Sequence, residues 1–194
     1  MKHLGTVVIE TERLVLRPFT INDAEKMYEN WASDDEVTKY LTWPTHENVE
    51  GTKGILETWI EKYKESDFYL WAITLKEYGD DPIGSISVVR QEDDVEMVCI
   101  GYCLGKKWWQ QGIMPEAFSE LIRFFFEEVK VNRIESWFDT RNPASGRVME
   151  KSGLKYEGIM READWNNQGR CDMVVYAILA RDYKDLKTLG LGVG

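Results

Sequence analysis

The sequence predicts an α/β domain built on a mixed sheet, and two patterns carry this prediction. Three strand-like segments follow one another directly in the middle of the chain, which indicates an antiparallel meander. Helix-like and strand-like segments then alternate, which favours a parallel β-α-β crossover. With 194 residues, 43% of them hydrophobic, the chain is long enough to bury one core. We therefore expect one domain spanning residues 1–194, with a frayed glycine-rich tail from about residue 187.

The first half of the chain predicts one strand, three helices and the meander. Alternating residues indicate a strand at Arg13–Arg17, and Asn22 or Asp23 then caps a helix that runs to about Trp31. A second helix start is predicted at Ser33–Glu36. Apolar residues at helical spacing predict a third helix over Glu47–Lys64. The meander strands are predicted at Phe68–Leu75, Ile83–Arg90 and Val95–Leu104.

The second half predicts two helices and three strands in alternating order. Pro115 is expected in the first helical position, because an amide there has no intrahelical partner. Gly153 is expected to end the second of these helices. The segments are predicted at Pro115–Val129 (helix), Arg133–Asp139 (strand), Ala144–Ser152 (helix), Lys155–Arg161 (strand) and Cys171–Ala180 (strand), with a polar turn at Asn166–Gly169.

Composition excludes several classes of protein. The formal net charge of −10 disfavours a nucleic-acid binder, which needs a basic surface. Three cysteines without CxxC spacing indicate free thiols, and no apolar run approaches the ~18 residues of a membrane span. We therefore expect a soluble, cytoplasmic protein with no nucleic-acid or membrane partner. Two distant histidines and the absence of GxSxG and GxxxxGK[ST] disfavour a metal site, a serine hydrolase and an ATPase.

The segment between Leu104 and Pro115 carries the first indication of a binding site. A buried strand is followed by a loop with one glycine and then by a helix. The amides from Gln110 to Met114 can converge beside the positive end of the helix dipole, and Gly112 lets a phosphate approach the backbone closely. A tight turn without a ligand is the alternative interpretation.

Three motifs in a fixed order give the sequence a family resemblance. They are the strand Ile100-Gly-Tyr followed by Trp109-Gln-Gln-Gly-Ile and Pro115-Glu-Ala, the helix start Asn142-Pro-Ala-Ser, and the turn Lys151-Ser-Gly-Leu-Lys-Tyr-Glu-Gly158. Together with the opening TERLVLRPFTINDA, they resemble the GNAT superfamily of N-acetyltransferases, in particular the branch that includes ribosomal-protein N-terminal acetyltransferases. The resemblance runs from about Thr11 to about Tyr183. It implies a mixed, mostly antiparallel sheet with a central splayed parallel pair and helices on both faces.

The resemblance also implies a binding site for acetyl-CoA. The loop amides would hold its pyrophosphate, although Met114 is bulkier than the glycine or alanine usual at that position. A bulge near Tyr102–Leu104 would splay the strand, so that the N–H of Cys103 or Leu104 polarises the thioester. Cys103 itself is expected to be a buried small side chain rather than a nucleophile. The cofactor residues so implied are Tyr102, Cys103, Leu104, Trp109, Gln110, Gln111, Gly112, Ile113, Met114 and Asn142.

Two residues are implied to take part in the reaction. Ser145 would donate a hydrogen bond to the leaving thiolate or relay a proton, and a plain first-turn hydroxyl is the alternative. Asp164 would orient the attacking amine and accept its proton, with Glu162 and Glu157 as rivals and a solvated loop charge as the alternative. Trp43 would form an apolar wall for the acceptor, although core packing explains a tryptophan equally well.

The function implied is an acetyl-CoA-dependent N-acetyltransferase that acts by direct attack in a ternary complex. A protein N-terminal α-amine of the ribosomal type is the expected acceptor, and a polyamine or antibiotic is the alternative. The acidic runs Asp34–Glu36 and Glu92–Glu96 would suit a cationic acceptor if they are not simply solvated. A non-catalytic acyl-CoA-binding module is the competitor from another class, and Met114 is the residue that favours it. A homodimer is expected only because relatives often form one.

Overall fold

The computed structural model describes residues 1–188, and its strands form one mixed sheet. Every neighbouring pair of strands is antiparallel except the central pair β5 and β6, which is parallel. The strand order is β1-β2-β3-β4-β5-β6-β8-β7. The strands are β1 Ile9–Glu10, β2 Leu14–Arg17, β3 Leu70–Leu75, β4 Pro82–Glu92, β5 Met97–Leu104, β6 Arg133–Asp139, β7 Lys155–Asn166 and β8 Gly169–Leu179. The predicted mixed sheet is confirmed.

Helices cover both faces of this sheet. The helical segments are α1 Ala24–Met27, α2 Asp35–Thr38, α3 Val49–Lys62, α4 Ile113–Phe124, α5 Pro143–Lys151 and α6 Ala180–Thr188, with π-helical turns at Tyr28–Ala32 and Phe125–Val129. We call the side of α4 and α5 the donor face and the side of α1 to α3 the acceptor face. The helix α6 was not predicted, and the expected frayed tail falls largely on residues 189–194, outside the described part of the chain.

The two faces have separate hydrophobic clusters because side chains alternate along each strand. In β3, Trp71 and Ile73 pack in the larger cluster with α4, whereas Leu70 and Ala72 pack in the smaller cluster with Trp31 and Leu56. Strand β6 alternates in the same way. Its Ile134 joins the larger cluster, and Phe138, of the same parity, packs against it. Asp139, of opposite parity, therefore points to the acceptor face.

The helix α4 begins two residues earlier than predicted. Gly112 is its N-cap and Ile113 its first residue, so Pro115 occupies the third helical position instead of the first. Proline is tolerated at either position, because the first few amides of a helix have no intrahelical acceptor. The sequence therefore could not fix the first residue of α4, whereas the predicted strand Arg133–Asp139 matches β6 residue for residue.

Strand β7 is longer than predicted and ends at Asn166 instead of Arg161. Its pairing with β8 shifts register between Met160 and Asp164, and Glu162 has a positive φ of 50°. This bulge carries polar residues that interrupt the strand pattern, which explains why the predicted strand ended at Arg161. Asp164 consequently lies in a strand, opposite Cys171, rather than in a loop.

The parallel strands β5 and β6 pair only at their beginnings. Residues Met97 to Cys99 pair with β6, and the strands separate beyond them. The predicted bulge near Tyr102–Leu104 is wrong, because the register shift lies in β4, between Val88 and Arg90. The extra residue Val89 is accommodated at Gly101, where a Cβ would lie 2.6 Å from the Val89 side chain.

Candidate active site

The gap between the separated ends of β5 and β6 exposes backbone groups of β5. The Gly105 amide donates to the Ile83 carbonyl over 2.9 Å, so these two residues form a hydrogen-bonded pair of the β4–β5 ladder. Antiparallel pairs alternate, so Cys103 also faces β4, whereas Tyr102 and Leu104 face the gap. Of the two amides singled out in the sequence, Leu104 is thus directed into the gap and Cys103 is not.

Two of the backbone carbonyls on this edge accept hydrogen bonds from side chains. Ser136 Oγ donates to the Ile100 carbonyl over 2.6 Å, and Trp109 Nε1 donates to the Leu104 carbonyl over 2.7 Å. The remaining groups on this edge include the amides of Tyr102 and Leu104, which no described strand or side chain pairs. A buried amide needs an acceptor. The gap is therefore suited to a ligand that offers carbonyl oxygens.

The loop before α4 presents a second set of amides. Gln110 and Gly112 have positive φ angles of 62° and 75°, which turn the chain sharply at the helix start. Within residues 1–188, the amides of residues 110–114 donate to no other residue. The two side chains at positions 110 and 111 are exposed. Free amides at the positive end of a 12-residue helix attract a phosphate group.

A bracing contact that the sequence did not reveal holds this loop. Arg13 Nη1 donates to the Gln111 carbonyl over 3.0 Å, and Arg13 Nε contacts Glu116 Oε2 at 2.6 Å. Glu116 Oε1 accepts from the Thr11 hydroxyl over 2.5 Å and from the Arg13 amide over 3.0 Å. Burial opposes ionisation of Glu116, but these hydrogen bonds outweigh it and lower its pKa. In the sequence, Arg13 is only an arginine after a turn and Glu116 only a glutamate in the first turn of a helix. Neither residue indicates that the two side chains are paired.

The Met114 side chain does not lie over the loop amides. It is 4% exposed and packs in the larger cluster, with Ala117 and Phe118 of the same helix. Trp109, by contrast, remains 41% exposed. The bulk of Met114 is accommodated in the core, so it leaves the surface of the loop open.

The start of α5 lies on the donor face beside Tyr102. The Tyr102 hydroxyl donates to the Ser145 carbonyl over 2.9 Å, and Asn142 Nδ2 lies 3.4 Å from Ser145 Oγ. The helix approaches β6 closely at Gly146, where a Cβ would meet the Phe138 ring at 2.6 Å. Burial raises the pKa of Tyr102, which keeps its hydroxyl a neutral donor. The structure thus brings Asn142, Ser145 and Tyr102 together.

Cys103 lies on the acceptor face and is buried. Burial raises the pKa of its thiol to about 11, and its Sγ lies 3.3 Å from the Ser85 hydroxyl. A protonated buried thiol is a poor nucleophile. Its contacts, in the smaller cluster, are those of a small apolar residue.

Asp164 lies in β7, opposite Cys171 of β8. It is half-buried, and its Oδ1 accepts from the Trp165 amide over 2.8 Å. It faces Cys171, whose pKa is raised by burial and then by the negative charges of Asp139 and Asp164. Within the described residues, Asp164 and Ser145 make no hydrogen bond to each other.

The two rival carboxylates are engaged elsewhere. Glu157 is paired with Arg133 at 2.6 Å, and this hydrogen bond lowers the pKa of Glu157. Glu162 is exposed and lies 3.4 Å from Arg170. Of the three candidates for a base, only Asp164 is half-buried without an ion pair among the described residues.

The turn between β7 and β8 contacts the segment that follows α2. Asn167 Nδ2 donates to the carbonyls of Thr38 and Trp43 over 2.9 and 2.8 Å, and its amide donates to the Leu41 carbonyl over 3.1 Å. Trp43 is half-buried and packs against the His46 ring, with the centroids 5.3 Å apart. These contacts join the β7–β8 turn to the segment that carries Trp43. Nothing in the sequence pairs Asn167 with a segment 124 residues away.

The acidic runs that the sequence suggested for a cationic acceptor already have partners. Asp35 accepts from the Thr45 hydroxyl over 2.5 Å, and Glu36 forms an ion pair with Lys106. Four more of these carboxylates have partners: Asp34 accepts from the Glu36 amide, and Glu92, Asp93 and Glu96 contact Arg90, His3 and the terminal amino group. These carboxylates stabilise local structure, and none of those contacts directs them into the gap.

No group of three His, Cys, Asp or Glu side chains in residues 1–188 could hold a metal ion. The same residues contain no helix that is both long and apolar enough to span a membrane.

Comparisons with known proteins agree with this geometry. Residues 13–155 match the model of the acetyltransferase (GNAT) domain. The chain is 30% identical over 172 residues to the uncharacterized N-acetyltransferase YoaA of Bacillus subtilis, covering 89% of this chain and 96% of that protein. It is 31% identical over 98 residues to the ribosomal-protein-serine acetyltransferase of Escherichia coli, covering 50% of this chain and 55% of that protein. A crystal structure of a GNAT-family acetyltransferase from Bacillus anthracis superposes with a TM-score of 0.78 at 26% identity, over 90% of this chain and 99% of that one.

Proposed function

We propose a function from one premise, which is that this chain belongs to the GNAT family of N-acetyltransferases. Our proposal is that it transfers the acetyl group of acetyl-CoA to the N-terminal α-amine of a protein, by direct attack in a ternary complex. The observation that carries the proposal is the gap between β5 and β6, which has free amides at its edge and at the α4 start.

The residues around the gap fit acetyl-CoA. The free amides of residues 110–114 suit its pyrophosphate, and those of Tyr102 and Leu104 suit its pantetheine and thioester oxygens. Gly112 has open space above it, since the nearest atom to its Cβ position is Arg13 Nη2 at 3.5 Å. Asn142, half-buried beside the gap, would contact the pantetheine arm. When bound, acetyl-CoA supplies an activated acetyl thioester.

Three groups of this chain would act on the reaction. A fixed backbone amide of β5 would stabilise the negative charge that develops on the thioester oxygen, and one such donor is worth on the order of 3 kcal/mol. Ser145, beside Tyr102, would donate a hydrogen bond to the departing sulfur. The Ser145 hydroxyl need not ionise, because a thiol with a pKa near 8.5 is a stronger acid than a serine hydroxyl, so the departing thiolate is stable without its proton. Asp164 would orient the amine and accept its proton.

The acceptor we propose is an α-amine of the ribosomal-protein type. At pH 7, deprotonating an α-amine with a pKa near 7.8 costs about 1 kcal/mol, whereas a lysine with a pKa near 10.4 costs about 4.6 kcal/mol. A single partly buried carboxylate suffices for the former. The motifs shared with the ribosomal branch and the partial similarity to the E. coli enzyme support this choice.

The competing non-catalytic module is not favoured by any feature of the fold. Met114, which suggested it, is buried in the core and leaves the loop open. A homodimer and a cytoplasmic location remain part of the proposal. The buried free thiols of Cys99, Cys103 and Cys171 suit a reducing compartment.

The test is acetyl transfer from acetyl-CoA to a panel of peptides, polyamines and aminoglycosides, with mass spectrometry identifying the acetylated atom. We expect acetylation of peptide α-amines. Acetylation of polyamines or antibiotics alone would show that the acceptor is a small molecule. Binding of acetyl-CoA in calorimetry, without transfer to any amine, would show that the protein is a binding module and not an enzyme.

A further inference from the structure

The strongest feature outside the predicted site is an arginine fixed at the acceptor face. Arg141 donates three times to Asp139, through its amide at 2.8 Å, its Nε at 2.9 Å and its Nη2 at 2.6 Å. Asn166 Nδ2 donates a further hydrogen bond to the same carboxylate over 2.7 Å. The Asp139 side chain is 1% exposed, whereas that of Arg141 is 46% exposed. A buried carboxylate thus holds an exposed guanidinium in place.

The contacts leave one edge of the Arg141 guanidinium unused. Its Nε and Nη2 face Asp139, and within residues 1–188 its Nη1 donates to no other group. A planar guanidinium presents two parallel N–H groups along its outer edge, which match a carboxylate. Because Asp139 has already fixed the side chain, little rotamer freedom remains to be lost when that edge binds an anion.

The position of Arg141 relates it to the acceptor. It precedes Asn142 at the start of α5, and Asp139 points to the acceptor face. The β7–β8 turn that contacts Asp139 through Asn166 also contacts the segment after α2. There the ammonium group of Lys39 lies 5.2 Å from the Tyr40 ring centroid, so this segment contributes a second cation in a chain of net charge −10.

Arg141 and the proposed base Asp164 are also near each other. Asn166 Nδ2, which donates to Asp139 beside Arg141, also lies 3.4 Å from Cys171 Sγ, and Cys171 is the β8 residue that pairs with Asp164. Asn166 and Cys171 therefore connect the Arg141–Asp139 pair with Asp164. An acceptor whose amine lies at Asp164 would place a neighbouring anionic group within reach of Arg141.

We infer that Arg141 is a specificity-determining residue that binds a carboxylate of the acceptor close to the reacting amine. This inference rests on the proposed function and narrows its acceptor class to amines with a nearby carboxylate. That carboxylate is either an acidic side chain near a peptide N-terminus or the C-terminal carboxylate of a small acceptor. An acceptor with such a carboxylate takes the place of the cationic acceptor that the acidic runs suggested.

The test compares two octapeptides that are identical except for Asp or Asn at the second position, and a dipeptide as its free acid and its C-terminal amide. For the wild-type protein we expect kcat/KM to be about 10- to 100-fold higher for the acid form of at least one pair, the range of a charge-assisted hydrogen bond. The pair that shows the preference identifies the source of the carboxylate. Equal values for both pairs would overturn the inference and leave the proposed function standing.

Variants locate the preference. Arg141→Gln is expected to abolish the preference, so that the ratio of kcat/KM between the acid and neutral forms falls to about 1. Arg141→Lys should keep part of the preference. The control Arg147→Gln, at an exposed position of α5, should behave as wild type. An equal loss on both forms in Arg141→Gln would overturn the inference, because it would indicate a structural role.

The wild-type comparison decides the outcome even if a variant fails to fold. Absence of transfer to every amine tested would overturn the proposed function and this inference with it.

Discussion

The two ends of the candidate site are built from different kinds of group. The donor end consists of backbone amides, at residues 110–114 and at Tyr102 and Leu104. The proposed acceptor end consists of side chains, namely Asp164, Arg141 and Trp43, and the β7–β8 turn contacts Asp139 through Asn166 and the Trp43 carbonyl through Asn167. Backbone amides keep their chemistry when side chains change, so the donor end tolerates Trp109 and Met114. The acceptor end depends on residue identity, and there we expect the specificity of this chain to lie.

The largest effect is expected where the two ends meet. Ser145→Ala should lower kcat by about 100-fold, because a hydrogen-bond donor to the leaving group acts only during the reaction. The Kd for CoA should stay at its wild-type value, since the proposed contacts to CoA are made by backbone amides. Steady-state kinetics and calorimetry measure the two quantities. A wild-type kcat in this variant would remove Ser145 from the mechanism.

The donor end is tested through its backbone geometry. Gly112→Val should raise the Kd for CoA by about 10- to 100-fold, because a β-branched residue at a φ of 75° is strained and relaxation turns the amides away. The matched control is Gly54→Ala in α3, where a Cβ meets nothing within 4 Å. It should leave CoA binding unchanged and stabilise the fold by about 1 kcal/mol. Unaltered CoA affinity in Gly112→Val would show that the loop does not hold the pyrophosphate.

The acceptor end is tested through the buried carboxylate that holds it. Burial opposes ionisation of Asp139, but its hydrogen bonds from Arg141 and Asn166 outweigh burial and lower its pKa to about 2. A depressed carboxylate pKa stabilises the native state above the unfolded pKa near 3.9, and this contribution is lost as the pH falls towards 2. Asp139→Asn should therefore lower the free energy of unfolding at pH 7 by about 2 kcal/mol.

Urea unfolding between pH 7 and pH 2 checks this expectation. The difference between wild type and Asp139→Asn should shrink as the pH falls from 4 to 2. The exposed control Asp94→Asn should change stability by less than about 0.5 kcal/mol. A difference that does not depend on pH would show that the Asp139 charge does not contribute to stability.

The smallest effect is expected at Met114. Met114→Leu conserves volume in the core and should cost less than about 1.5 kcal/mol of stability. CoA affinity should not change, because the side chain points away from the loop surface. If Met114→Ala bound CoA more tightly than the wild type while its loop stayed equally well ordered, the result would show that the methionine obstructs the site.

The sequence predicted the local geometry at the start of α4 better than the geometry around Asp164. The strand-loop-helix order and Gly112 indicated a phosphate-binding loop because each depends on local rules of chain geometry. The position of the bulge was missed, since it lies in β4 at Val89, next to Gly101 across the ladder, and no local pattern of β5 records it. The predicted strand stopped at Arg161, before Asp164, because a bulge interrupts the β7 pattern. The Asp139–Arg141–Asn166 contacts require β7, β8 and the end of β6 to meet, which no local pattern records.

The claim on which the account depends most is that backbone amides of the loop and of β5 hold the donor. It is tested by titrating CoA into ¹⁵N-labelled protein and following the amide signals by NMR. The account predicts that the signals of residues 110–114 and of Tyr102 and Leu104 shift most, and saturate with the Kd measured by calorimetry. Saturable CoA binding that leaves those amides unshifted while signals elsewhere move would contradict it.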